Sequence, residues 1–141
     1  MALIENVERK YVLASRRKVG FKVKGGARIF RGAALSKDAN GFVEPLTGTT
    51  GFTGFAVDEI DATDLADGEV EIEVYVEGDV ELELGDNIDG SAAGAVEASD
   101  DDTFRLGGAI VGNPIGKIVK ATDATRNRVL VHFEATGVQS L

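Results

Sequence analysis

Residues 69–84 read EVEIEVYVEGDVELEL, and an alternation this long admits few structures. Val70, Ile72, Val74, Val76, Val80, Leu82 and Leu84 occupy its even positions, interrupted by Gly78. Every odd position from Glu69 to Glu83 is acidic except Tyr75. Period two means a β-strand with one face in a core and the other in water. The stretch is therefore one long bent strand or two strands joined near Gly78-Asp79. Carboxylates at every second position repel one another unless cations on a neighbouring strand, on a partner or in solvent compensate them.

The rest of the chain carries charge to match. Residues 1–31 hold nine Lys/Arg against Glu5 and Glu8, whereas from residue 32 onward six basic residues face 22 acidic ones. A basic segment on an acidic body can fold back, dock on a neighbour or reach another acidic partner. The 141 residues fit one domain able to bury a real core. There is no cysteine, which excludes disulfides, thiolate nucleophiles and thiolate metal ligands. No apolar run approaches a membrane span, and charges among the first ten residues break up any signal-like segment.

Short β-branched runs and eighteen glycines lead to an all-β fold, a small Gly-rich β-barrel or sandwich. Residues 1–18 read as a basic, extended N-terminal arm with a short strand at Tyr11-Val12-Leu13, ordered by a partner. Residues 19–141 read as a single β domain. In it, Val19, Phe21 and Val23 alternate into a strand ended by Gly25-Gly26, and Asp38-Ala39-Asn40-Gly41 signals a hairpin turn before Phe42-Val43-Glu44-Pro45. Phe55-Ala56-Val57 reads as a short buried strand, Asp100 to Gly108 as a loop, and Gly112-Asn113-Pro114 as a turn.

Laid over each other, the two halves suggest a duplicated β unit, about 32–78 and 85–137. Gly32 to Glu44 falls on Gly85 to Glu97, Gly54-Phe55-Ala56-Val57 on Gly116-Lys117-Ile118-Val119, and Asp61-Ala62-Thr63 on Asp123-Ala124-Thr125. After a shortening, Val70 to Val74 falls on Val129 to Phe133.

Reactive constellations are not found. His132 is the sole histidine, out of phase with Val131 and Phe133, so it points away from the face they bury and reads as an exposed or cross-strand residue. A regular carboxylate ladder lacks the unlike environments that split the pKa values of a glycosidase pair. An EF-hand frame on Gly68 places Leu65 at a ligand position and fails. Gly48, Gly51 and Gly54 lack the Gly-Lys-Ser/Thr closure of a phosphate loop. Lipoyl-type turns need a lysine that is absent between Lys37 and Lys117. The basic segment has few interleaved aromatics, which argues against nucleic-acid recognition. The expectation is a non-enzymatic protein with no cofactor and no metal.

GAALSKDANGFVEPLTG, followed by GFTGFAVDEIDATDLADGEVEIEVYVEGDVELELGD, resembles the head decoration, or capsid cement, proteins of tailed bacteriophages. The likeness spans roughly residues 19–134, with the dense glutamate row and the basic arm as departures. It implies a compact β protein, made in the bacterial cytoplasm, that binds the outside of the expanded head. There it stabilises contacts between major capsid subunits, as a homotrimer at three-fold and quasi-three-fold positions, with no direct contact to nucleic acid or membrane. Residues 1–31 then supply much of the capsid contact, with Arg16, Arg17 and Lys18 as its charged centre and Tyr11, Val12 and Leu13 as its apolar part. Two alternatives fit the composition: another virion β module of the tail or baseplate, and a trimeric β-fold nucleotide hydrolase.

Overall fold

The computed structural model describes residues 2–12, 17–47, 51–107 and 113–135. Apart from one short 3-10 turn at Ala124–Arg126, the regular structure among the described residues is entirely β. The strands are β1 (Lys10–Tyr11), β2 (Arg17–Lys22), β3 (Arg28–Ile29), β4 (Ala34–Lys37), β5 (Val43–Pro45) and β6 (Phe52–Ala56). They continue with β7 (Ile60–Asp61), β8 (Glu71–Glu83), β9 (Ala95–Ala98), β10 (Phe104–Leu106), β11 (Asn113–Asp123) and β12 (Arg128–Glu134). One antiparallel sheet runs β10-β9-β11-β12-β8-β6-β4-β5, with β1 and β2 also on β8, while β3 and β7 form a separate pair.

The alternating stretch is one strand, continuous through Gly78. Its buried positions are the even ones, from Ile72 to Leu82. Both of its edges are occupied. On one, the carbonyls of Val70 and Val76 accept from Val23 and Ala135, where β2 and then β12 lie end to end. On the other, the carbonyls of Glu73 and Asp79 accept from Val57, just after β6, and from Val12, just after β1.

Two halves of equivalent topology are present, in a frame that differs from the one the sequence suggests. Sheet order reads the same from both ends: β5-β4-β6-β8 on one side mirrors β10-β9-β11-β12 on the other. The closing bridges match as well, Val23 to Val43 in one unit and Leu84 to Phe104 in the other, both parallel. Backbone bonds repeat around them. Val23 to Val70 corresponds to Leu84 to Asn127, Lys24 to Val43 corresponds to Gly85 to Phe104, and Leu46 to Ala34 corresponds to Gly107 to Ala95.

The units are therefore residues 17–77 and 78–134 rather than about 32–78 and 85–137. β8 is shared, its first half closing one unit and its second half opening the next. Lys24, and not Gly32, is the counterpart of Gly85, because hydrogen-bond geometry rather than shared glycines defines the position. Of the sequence matches, Gly54 with Gly116 and Asp61-Ala62-Thr63 with Asp123-Ala124-Thr125 hold. In each Asp-Ala-Thr the aspartate Oδ1 accepts the threonine N–H, at 3.0 and 3.1 Å.

Each unit curls into a half-barrel with its own core. Unit one buries Val23, Leu35, Val43, Ile72, Val74 and Val76, closed over by Ile29 and Ala62 near the β3–β7 pair. Unit two buries Val80, Leu82, Val96, Phe104, Val131 and Phe133, and into it project Phe52 and Phe55 from the outer side of unit one. Ring centroids of Phe55 lie 5.0 Å from Phe133 and 6.0 Å from Phe104. This aromatic plug joins the two halves, and its burial stabilises their junction.

Three local expectations change. β10 lies within the segment expected as a loop, and Asn113-Pro114 opens β11 instead of making a turn. β6 begins at Phe52, three residues before the expected Phe55. In each case short glycine-flanked segments take their conformation from ladder partners rather than from local propensity.

Candidate interaction surface

The N-terminal segment does not stand away from the body waiting for a partner to order it. Residues 2–12 run as a strap along the seam between the two units. The Leu3 N–H donates to Asp101 Oδ1 at 2.9 Å and the Val7 N–H to the Arg31 carbonyl at 2.9 Å. Arg9 is the centre of the strap. Its Nε donates to the Gly32 carbonyl in unit one, its Nη2 pairs with Asp102 in unit two at 2.8 Å, and only 8% of the side chain is exposed. The guanidinium also lies over Phe55 and Phe104, 5.6 and 5.1 Å from the ring centroids, so it seals the aromatic plug from outside.

The expected contact residues separate into distinct settings. Tyr11 is half-buried in β1, its ring 4.6 Å from that of Tyr75. Val12 is exposed, and its N–H donates to the Asp79 carbonyl. Leu13 and Arg16 lie outside the described residues. Arg17 and Lys18 are exposed at the start of β2. Tyr11 is thus held by the body, while the two described cations of the charged centre face solvent.

The acidic face of β8 finds its compensation within the chain. β2 sets Arg17 opposite Glu77 and Lys22 opposite Glu71, and Lys18 Nζ lies 3.8 Å from Glu73. From the other unit, Arg128 reaches Glu81 and Glu83 at 3.4 and 3.6 Å. His132 Nδ1 meets Asp79 at 2.7 Å, so the lone histidine lies beside β8 on the wet face, away from the core, as its phase requires.

Asp101 is buried in the turn that receives the strap. Burial, together with the neighbouring Asp100 and Asp102, pushes its carboxyl up to about 6, against the opposing pull of the Leu3 N–H and Arg9. No signal in the sequence distinguished Asp101 from its two neighbours. A polar cleft of about 400 Å3 beside it is lined by Arg9, Lys10, Glu81, Glu83, Asp102 and Arg128. A shallower apolar groove of about 310 Å3 runs over Ala95, Pro114 and Gly116 beside His132. Among the described residues no group of three His, Asp or Glu side chains is placed to hold a metal ion. Comparison of the chain with known protein families, characterised proteins and solved structures finds no match.

Proposed function

We propose that this protein is a tailed-phage capsid decoration protein. In this reading it binds the outer surface of the expanded head as a homotrimer and clamps neighbouring major capsid subunits. The observation that carries the reading is the division of the basic N-terminal region. Its first part, through Arg9 and Tyr11, is fastened to the body, so that Arg17, Lys18 and Lys22 are presented on an exposed strand of a rigid frame. A pre-ordered cationic strand meets an acidic surface without the entropic cost of ordering an arm, and many copies on a shell make weak contacts collectively strong. The resemblance in residues 19–134 supplies the identity of that surface.

Co-sedimentation with expanded and with immature capsids tests the proposal. Binding to expanded heads alone is the expected result, and equal binding to both or to neither overturns it. Removing residues 1–18 is a poor test, because it also removes the Arg9 anchor and β1. Arg17→Glu combined with Lys18→Glu leaves the strap in place and is expected to weaken head binding about tenfold or more at low salt, the difference from the parent narrowing as salt screens the charges. Imaging of decorated heads checks the three-fold arrangement.

A further inference from the structure

The two units differ in how the outer edge of their first strand is used. In unit two that strand is the second half of β8, and β1 lies against it antiparallel, with Lys10 opposite Glu81 and Tyr11 opposite Val80. The Asp79 carbonyl accepts the Val12 N–H at 3.0 Å. In unit one the equivalent strand is β2. Val19 faces Val74 there as Val80 faces Val131 in unit two, so Lys18, Val19 and Gly20 stand where Asp79, Val80 and Glu81 stand. Nothing among the described residues pairs with that edge of β2.

The outward groups of this edge follow from the alternation. The Val23 N–H turns inward to Val70 of the β8 side, and the Lys24 N–H turns outward to Val43 of β5. Backbone groups of Lys18, Gly20 and Lys22 therefore share the outward side with Lys24. The strand itself is exposed at Arg17, Lys18, Gly20 and Lys22, and a Cβ built on Gly20 meets nothing within 4 Å. The charge is inverted between the units. Unit two offers Asp79 and Glu81 to a basic strand, and unit one offers Arg17, Lys18 and Lys22.

We propose that the outer edge of β2, from Lys18 to Lys22, docks an extended acidic segment of a partner protein. The segment adds as an antiparallel strand in the way β1 adds to β8. The β1 segment of a second copy does not supply it, since it carries Arg9 and Lys10 and is repelled. Residues 136–141 contain no acidic side chain either. The inference deepens the decoration reading, on which it rests only for the identity of the partner.

The test uses the full chain, isotopically labelled, with a short synthetic peptide that alternates glutamate with valine and threonine. The same peptide with lysine in place of glutamate is the control. Amide exchange at Lys18, Gly20 and Lys22 is expected to slow about tenfold or more with the acidic peptide alone. Gly20→Pro, which removes one outward N–H and leaves the bonds to β8, is expected to abolish the effect with an unchanged melting temperature. Lys18→Glu with Lys22→Glu keeps the backbone edge and is expected to reverse the peptide preference. Protection elsewhere, no protection, or an equal response to both peptides overturns the proposal. Loss of head binding by the parent protein with peptide docking intact overturns the decoration reading and leaves the edge standing.

Discussion

Gly54 and Gly116 hold the same place in the two units, each passing close under the last strand of its own half-barrel. A Cβ at Gly54 would stand 2.2 Å from the Tyr75 carbonyl oxygen, and one at Gly116 would stand 1.9 Å from that of His132. Neither neighbour can yield, because both are backbone atoms in the central ladders. Alanine at either position is expected to cost about 3 kcal/mol, read from the urea midpoint. Gly20→Ala, with open space around it, is expected to change stability by under about 1 kcal/mol. Asp101 makes the opposite kind of prediction. Its folded-state pKa of about 6 lies above its ordinary 3.8, so the charged form is disfavoured in the native state. Above pH 6 the group therefore subtracts stability, and this penalty fades as the pH falls through the window from 6 to 3.8. Asp101→Asn keeps an acceptor for the Leu3 N–H and removes the charge. It is expected to stabilise the protein by on the order of 1 kcal/mol above neutrality and by nothing near pH 4, as thermal melts at the two pH values will show.

At the scale of elements, the strap and β2 are two parts of one basic segment with different tasks. The strap acts through Arg9, whose guanidinium touches both units and two aromatic rings while almost fully buried. Arg9→Ala leaves the Asp102 carboxylate and the Gly32 carbonyl without this partner and is expected to cost about 2–4 kcal/mol by denaturant unfolding. Lysine restores only part of this, since it cannot reproduce the flat stack and the fork of donors. In β2, by contrast, the pairing of Lys18 with Glu73 is long and half exposed, so such a contact adds little to stability. Reversing charges on β2 should therefore alter partner binding far more than the melting temperature, which separates recognition from folding.

For the molecule as a whole, the shared strand and the aromatic plug make the two half-barrels one cooperative body. β8 belongs to both, and Phe52 and Phe55 of one unit complete the core of the other. Neither unit can open without exposing the core of its neighbour. A single transition is expected, with tyrosine fluorescence and far-ultraviolet circular dichroism coincident along a urea titration. The only tyrosines, Tyr11 and Tyr75, lie against each other where the strap crosses onto the body, so an independently released strap would separate the two signals.

Much of this was legible in the residues themselves. The alternation from Val70 to Leu84 specified a half-buried strand, since period two leaves no other way to segregate apolar from charged side chains. The repeated Asp-Ala-Thr marked equivalent turns because the same side-chain bond forms in both. The phase of His132 against Val131 and Phe133 placed it on the wet face, where the fold sets it beside Asp79. Tertiary structure decided the remainder. Which glycines correspond depends on ladders between distant strands, and Lys24 and Gly85 share a backbone bond with no likeness of side chain. That the basic segment folds back is equally a matter of three-dimensional fit. Composition fixes its charge, but only the seam between the units provides Asp101, Asp102 and the Gly32 carbonyl together, and it does so from parts of the chain far apart in sequence.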